Sequence, residues 1–259
     1  MKRESPTSMP ATRPAAVPLG LALCACLLLS GAAAAPDTPP GYGVAVTTAE
    51  RAILLAADEA AWAHASVVTW GPAPYETRFR ALWSDDGLHL RFDATDPSPW
   101  NTMTKRDEHL WEEEVVEIFL DPDRSGRHYY ELEISPANVV CDLDMISPMP
   151  NYKSDFAWDL AGLETRVHAA KDAEGRTTGW TATAFLPWRG LRALPSAARV
   201  ATPPRPGDRW RFNVFRIDRP GGKANPEKDA VQVAWSPPSL KSFHDPSAFR
   251  DFVFVGPAR

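Results

Sequence analysis

The chain has 259 residues, of which 44% are hydrophobic and 10% aromatic, a composition typical of a globular protein rather than a fibre or a disordered chain. It carries 33 acidic and 28 basic residues, a formal net charge of −5. The basic residues form no cluster, and this balance argues against nucleic acid and anionic lipid surfaces as partners.

The N-terminal segment differs in composition from the rest of the chain. Three basic residues precede an apolar run at positions 17–29, and small residues follow up to Ala35. This order is the layout of a secretory signal peptide, and the run is shorter than the ~20 residues that span a bilayer. We therefore expect residues 1–35 to be a signal peptide of bacterial type, with export to the periplasm or outside the cell. A lipid anchor on Cys26, which follows a loose lipobox, is the less favoured alternative.

After the leader, residues 36–41 are predicted to be a short lead-in and residues 42–259 to be one domain. No internal repeat or low-complexity linker interrupts the domain. Cys141 is the only cysteine beyond position 35, so we expect no intramolecular disulfide. A hydrophobic core must then stabilise the fold, and a chain of this size can bury about 70% of its unfolded surface.

Apolar and polar residues alternate with a period of two along most of the domain, which predicts β-strands. The first two runs, residues 78–83 and 88–94, flank Asp85, Asp86 and Gly87, a hairpin signal in which glycine accepts a positive φ. The other runs are residues 115–120, 129–134, 139–145, 165–170, 180–186, 210–217, 231–235 and 249–255. We predict an all-β, antiparallel β-sandwich with jelly-roll or immunoglobulin-like layers. One short helix is expected at residues 58–64, with Asp58 as its N-cap.

Five segments resemble a known family in order and spacing. They are residues 58–62, 81–90, 111–121, 179–188 and 235–249. The pattern is similar to the family 9 carbohydrate-binding modules, which are often appended to xylanases and have a β-sandwich fold related to DOMON domains. The resemblance implies noncatalytic carbohydrate binding, linked to polysaccharide breakdown, with the end of an oligo- or polysaccharide as the partner.

The resemblance also assigns residues to the sugar site. Two aromatic rings clamp a terminal sugar in the family, and Trp111 and Phe243 fall on these positions, the second usually being Trp. Glu117 falls on a carboxylate that hydrogen-bonds sugar hydroxyls. An aromatic face suits the C–H side of a pyranose, and a carboxylate accepts from paired hydroxyls. The alternation independently places Glu117 off the apolar face of its strand, where it can point into a groove.

The sequence departs from the family at two polar positions. A family Arg that contacts the sugar aligns with Glu133, and a family Asn aligns with Leu240. We keep Glu133 and His244 as weaker candidates for ligand contact. The resemblance therefore predicts carbohydrate as the ligand without specifying the sugar.

A metal is predicted only weakly. Family members can bind structural calcium, and Asp121 and Asp123 on one turn are the available oxygen donors, although Asp-rich turns are usually only turns. The acidic run at residues 112–114 lacks metal-ligand spacing, and we interpret it as a solvated loop.

Two alternative functions stay open. Glu131 and Glu133 share one strand face about 6.6 Å apart, a spacing that a glycoside hydrolase could use on O-glycosyl bonds. The third carboxylate of the related glycosidase pattern is missing, which favours binding over catalysis. Noncovalent binding of haem b requires a Met and His pair. The available haem ligands are Met145, Met149, His168 and His244.

Overall fold

The computed structural model describes residues 40–146, 151–224 and 229–257. The predicted leader with Cys26, and Met149, lie outside these residues. Within the described ranges, no helix is both long and apolar enough to cross a membrane.

The described part of the chain contains thirteen strands and two short α-helices. The strands are β1 (Tyr42–Val46), β2 (Val68–Trp70), β3 (Thr77–Trp83), β4 (Gly87–Thr95), β5 (Val115–Asp121), β6 (His128–Ile134), β7 (Val140–Ile146), β8 (Lys153–Asp155), β9 (Glu164–Lys171), β10 (Thr177–Pro187), β11 (Arg209–Asp218), β12 (Val231–Ala234) and β13 (Arg250–Val255). The helices are α1 (Arg51–Leu55) and α2 (Trp188–Leu191). The all-β prediction is confirmed, and each of the ten alternating runs is a strand. Sequence reasoning missed β1, β2 and β8.

The strands form one curled sheet in the order β8-β7-β6-β5-β11-β13-β1-β3-β4-β10-β9, with β12 paired to β11 and β2 paired to β3. All described pairs are antiparallel except those of β1, which runs parallel to both β13 and β3. The pairing of β1 is thus an exception to the predicted antiparallel arrangement. The first strand inserts between the last strand and β3, and its connection to β3 through α1 is long enough for a parallel crossover.

The two halves of the sheet pack against each other through one hydrophobic core. Ile118 and Leu120 of β5 and Leu90 and Phe92 of β4 are at most 1% exposed and belong to the same cluster. Burying apolar side chains from two sheet faces in one layer produces a sandwich. The fold class predicted from the alternation is therefore confirmed.

A second, smaller core covers the opposite face of β5, β6 and β7. It includes Phe119, Leu143 and Phe215, each at most 1% exposed. Every residue of β5 is consequently buried, whichever face it points to. This second face forms the floor of the site described below.

Gly87 opens β4 for a different reason from the one predicted. It has no positive φ, but a Cβ at this position would lie 2.5 Å from the carbonyl oxygen of Leu186 and 2.5 Å from the ring of Phe185. The hairpin is confirmed. Glycine is required here because β10 approaches the backbone closely.

The predicted helix at residues 58–64 is wrong. These residues form turns, and the helix lies earlier, at α1. Asp58 does accept a hydrogen bond from the backbone NH of Ala61 at 3.0 Å, but the indole NH of Trp62 donates to the carbonyl of Leu54 at 3.1 Å. This bond and the burial of Trp62 against Leu54 fold the segment back onto α1, so the Asp58 cap closes a turn only.

Replacing Gly87 by alanine tests the close approach of β4 and β10. We expect Gly87→Ala to lower the free energy of unfolding by about 1–3 kcal/mol, because backbone must move to admit the methyl group. Gly43→Ala in β1 is the matched control, since its Cβ would meet only the Val255 side chain at 3.4 Å, and it should be neutral or slightly stabilising. Urea denaturation measures both, and equal losses would contradict the assignment.

Candidate functional site

A cleft of about 840 Å³ opens on the face of the sheet that carries the second core. Strands β5, β6 and β7 supply its floor, and the segment after β12 supplies one wall. The cleft contains every residue that the sequence placed in sugar binding. These are Trp111, Glu117, Phe243, Glu133 and His244.

Trp111 lies at the edge of the cleft, on a single 3-10 turn just before β5. Its indole is half-buried and stacks on the ring of His109, with centroids 4.4 Å apart and planes inclined by 19°. Phe156 contacts the indole in a tilted geometry at 6.2 Å. These neighbours fix the orientation of a ring that still lines the cleft.

Phe243 also lines the cleft, on the segment that follows β12. Its ring stacks on the buried ring of Phe215 at 4.4 Å with an inclination of 24°. Leu240, which aligns with the family Asn, is 47% exposed and lines the same wall. Phe243 and Trp111 therefore border one cleft, as the aromatic clamp requires.

A single carboxylate holds this wall in shape. Asp245 accepts hydrogen bonds from the backbone NH and the hydroxyl of Ser239, at 2.8 and 2.7 Å. It also accepts from the backbone NH and the hydroxyl of Ser247, at 3.1 and 2.5 Å. The segment that carries Phe243 is thus tied at both ends to one buried side chain.

His244 lies in an aromatic stack and not at the surface. Its ring stacks on Tyr152 at 4.3 Å and on Phe119 at 5.2 Å, and its Nδ1 is 2.9 Å from the hydroxyl of Tyr129. Burial lowers the pKa of His244 to about 4. The imidazole is therefore neutral at neutral pH and lines the cleft as an aromatic and hydrogen-bonding group.

The cleft floor carries three carboxylates, here called the glutamate triad: Glu117, Glu131 and Glu133. Glu117 and Glu133 oppose each other in the register of β5 and β6. The three side chains are 1–3% exposed, and each offers an oxygen within 4.8 Å of the others. The sequence missed this arrangement because it assigned Glu117 and the Glu131–Glu133 pair to different functions.

Burial changes the proton affinity of the glutamate triad. Removal from water raises the pKa of Glu131 to about 7. The pKa values of Glu117 and Glu133 rise well above the usual range, through burial first and then through repulsion by the neighbouring carboxylates. The free triad consequently keeps protons at pH values where an exposed glutamate is ionised.

The acidic run ahead of β5 is not the solvated loop that we predicted. Glu113 and Glu114 are 2% and 1% exposed. Glu113 accepts from the backbone NH of Thr102 at 2.7 Å, and also from its hydroxyl, while Glu114 accepts from the backbone NH of Trp100 at 3.0 Å. The two carboxylates anchor the preceding loop beside Trp111. The sequence does not indicate this role, because it depends on where the NH groups of that loop lie in the fold.

Two other groups of three carboxylates occur in the described residues, and an arginine pairs with each group. Asp96, Glu114 and Asp218 form the first group. The fully buried Arg216 donates to Asp96 at 3.0 Å and to Asp218, and burial with carboxylate repulsion raises the pKa of Glu114 to about 9. No pattern in the sequence indicates this buried network.

The second group, Asp107, Asp142 and Asp159, surrounds Arg106. Arg106 pairs with Asp159 at 2.6 Å and with Asp107 at 3.7 Å, and it also pairs with the fully buried Asp142. Neither arginine-centred group lines the cleft. Both stabilise connections around it.

The candidate calcium ligands are engaged in their turn. Asp121 is buried and accepts from the backbone NH of Gly126 at 2.9 Å, and burial raises its pKa to about 6. Asp123 accepts from the backbone NH of Ser125 and pairs with Arg199 at 3.3 Å. Within the described ranges, neither belongs to a group of three metal-ligating side chains, so calcium binding here stays a prediction.

The candidate haem ligands do not meet in the cleft among the described residues. Met145 is buried in the second core, and the Nε2 of His168 is 3.0 Å from the carbonyl of Leu55, under α1. Of the candidates that the structure describes, His244 alone lines the cleft. A Met and His pair is thus not assembled there.

A family model described as carbohydrate family 9 binding domain-like matches residues 56–256. The chain belongs to this family. The resemblance seen in the sequence is therefore confirmed, and the match includes the sandwich strands from β2 to β13 and both cleft walls.

Named relatives of this family 9 chain extend the comparison. An extracellular protein of Arthroderma benhamiae is 28% identical over 187 residues, which are 70% of this chain and 79% of that protein. Endo-1,4-beta-xylanase A of Thermotoga maritima is 26% identical over 180 residues, which are 69% of this chain but only 14% of the xylanase. The similarity to the xylanase is thus confined to a small part of that enzyme.

The fold is shared with a family 9 carbohydrate-binding module of Caldicellulosiruptor kristjanssonii, solved in complex with glucose. The two structures match with a TM-score of 0.55 at 14% sequence identity, over 83% of this chain and 97% of that module. At this identity the match establishes the β-sandwich architecture of the family 9 chain.

Replacing Glu113 by glutamine tests the anchoring of the loop before β5. Glu113→Gln should lower the free energy of unfolding by about 1–3 kcal/mol, because an amide NH₂ would face backbone donors and the charge-assisted bonds would be lost. Glu112→Gln is the control, since the Glu112 side chain is 57% exposed and should change stability by less than about 0.5 kcal/mol. Chemical denaturation at pH 7 measures both, and similar stabilities for the two variants would contradict the anchoring role.

The raised pKa of Glu131 predicts a pH-dependent loss of stability. An unfolded Glu131 ionises near pH 4.5 and the folded one near pH 7, so the folded chain retains a proton that the unfolded chain loses. Stability should therefore fall as pH rises from about 4.5 to 7, by linkage. Glu131→Gln should gain stability over the wild type across this window and equal it more nearly at pH 4. Thermal melts at pH 4 and pH 7 measure the difference in stability between the variant and the wild type. The same difference at both pH values would contradict the raised pKa of Glu131.

Proposed function

We propose that this protein binds the end of a carbohydrate chain in the cleft, without cleaving it. The observation that carries the proposal is the meeting of Trp111, Glu117 and Phe243 in one cleft, although they come from three separate segments of the chain. A cleft with aromatic walls and a few buried polar groups is the usual form of a small-molecule site. Membership of family 9 supports the same ligand class.

The chemistry of the cleft suits a sugar. The rings of Trp111 and Phe243 offer apolar surface for the C–H face of a pyranose. Carboxyl oxygens on the floor accept hydrogen bonds from hydroxyl groups, and Glu117 has a buried oxygen without a partner. Stacking at the walls and polar contact at the floor together would fix both the position and the rotation of the ring.

The placement of the carboxylates on one floor favours binding over hydrolysis. A glycosidase holds two carboxyl groups on either side of the scissile bond, about 5–5.5 Å apart in retaining enzymes and 6.5–9.5 Å apart in inverting ones. The glutamate triad lies on one floor, with oxygens within 4.8 Å of one another. All three carboxylates would approach a sugar from the same side.

We also propose that the protein is exported by its N-terminal leader and acts where polysaccharide is degraded. Support comes from the layout of residues 1–35, from the relative described as an extracellular protein, and from the relatives that are xylanases. The enzyme with which this binding protein works would then be a polysaccharide hydrolase.

Calorimetric titration with glucose and cellotriose tests the binding function. Trp111→Ala should weaken binding at least about tenfold, because one apolar wall of the site is removed, while the melting temperature changes little for a half-buried side chain. Trp100→Ala is the matched control: Trp100 is also half-buried but lies outside the cleft, so its replacement should leave the affinity unchanged. Absence of binding to any sugar on a glycan array, or equal affinity in wild type and Trp111→Ala, would disprove the proposal.

A further inference from the structure

The glutamate triad differs from the other carboxylate groups in having no cation of its own. Arg216 serves the group at Asp96, and Arg106 serves the group at Asp142. Among the described residues, no lysine or arginine pairs with Glu117, Glu131 or Glu133. In the described residues, an arginine accompanies both carboxylate groups that lie away from the cleft, and none accompanies the group that faces it.

The nearest basic group does not replace that cation. The Nδ1 atom of His244 is 3.9 Å from Glu131, but this atom is also 2.9 Å from the hydroxyl of Tyr129, and burial keeps the imidazole neutral. Lys241 lines the outer wall and is exposed. The positive charge that the triad lacks could therefore be supplied by a ligand.

Unpartnered oxygens point to the form of that cation. Oε1 of Glu117, Oε2 of Glu131 and Oε2 of Glu133 are all buried and accept no hydrogen bond from the part of the chain that the structure describes, and all three residues line the cleft. A buried acceptor that receives no hydrogen bond lowers the stability of the fold. Three free acceptors, one on each carboxylate, match the three N–H donors of a protonated primary amine.

From this arrangement we infer that the preferred ligand is a glycan whose terminal sugar carries a free, protonated amino group. The inference rests on the proposed function, since the aromatic walls hold the sugar while the triad receives its ammonium group. Rings at the walls, here Trp111 and Phe243, also suit a cationic ligand through their negative faces.

A divalent metal ion fits the same floor less well. Calcium takes six to eight oxygen ligands. The cleft-lining residues opposite Glu131 in the sheet, Phe119 and Leu143, offer no side-chain oxygen. The raised pKa values of Glu117 and Glu133 show that burial and mutual repulsion disfavour three ionised carboxylates on this floor. A singly charged ammonium group requires less ionisation of the floor than a divalent ion does.

Titration of the full chain with three trisaccharides of equal length tests this inference. Cellotriose carries a hydroxyl at each 2-position, the β-1,4-linked glucosamine trimer carries an amine, and its N-acetylated form carries an uncharged amide. At pH 6.5 with a chelator present, the amine trimer should bind at least about tenfold more tightly than the other two. Equal affinities for the amine trimer and cellotriose would overturn the inference.

Variants assign the preference to the triad. Glu131→Gln and Glu133→Gln should reduce the advantage of the amine trimer to less than about threefold, with Glu117→Gln as a third variant if one of these fails to fold by circular dichroism. Glu112→Gln, on the exposed loop, should retain the full advantage. Retention of the advantage in all folded triad variants would also overturn the inference.

Two further outcomes separate the amine preference from the binding function. If cellotriose binds through Trp111 and the amine trimer has no advantage, the inference fails and the carbohydrate-binding function stands. If no trisaccharide binds the wild type, both fail. A saturable heat from calcium chloride alone, abolished by Glu133→Gln, would assign the triad to a metal and overturn the amine.

Discussion

Strand β5 is buried on both of its faces, and the positions of the core and the site both follow from this double burial. Ile118 faces the sandwich core, while Glu117 and Phe119 face the cleft. Pairing with β6 on one side and β11 on the other fixes the register of the strand. A slip of one residue would exchange the two faces and place a carboxylate in the core. The packing that stabilises the sandwich therefore also presents the cleft floor.

Buried charge is distributed unevenly in this fold. Arg216, fully buried, lies 4.9 Å from the ring of Trp180 and pairs with Asp96, just after β4, and with Asp218, so that ion pairs join the end of β4 to β11. Among the described residues, the cleft floor has carboxylates and no arginine. Paired buried charges hold structure in place, whereas unpaired ones store a binding preference at a cost in stability. The presence or absence of a partner arginine therefore distinguishes the carboxylates that hold the fold together from those of the candidate site.

The sequence predicted the sandwich because alternation with a period of two is a direct consequence of strands that each have a buried face. It missed β1 because Tyr42–Val46 is short and its parallel pairing depends on the distant strand β13. It placed the helix at residues 58–64 because an Asp cap looks the same before a turn and before a helix. Local patterns determine local structure, and long-range pairing decides the rest.

The site was predicted in part, and the limits have physical reasons. Trp111, Glu117 and Phe243 could be found through family resemblance, since their segments keep recognisable spacing. The stack of His244 on Tyr152 could not, because the two residues are brought together only by tertiary packing. The burial of Glu113 was hidden for the same reason: its partners are backbone NH groups at Thr102 and Met103, which carry no signal in the sequence.

The wall that carries Phe243 contributes no strand to the sandwich and is fastened through Asp245 to Ser239 and Ser247. The residues between these two serines pair with no strand of the sheet, although Asp245 is needed for the anchor and Phe243 packs on the second core. Exchange of the remaining positions would reshape this border of the cleft while the pairings of the sheet and the glutamate floor stay as they are.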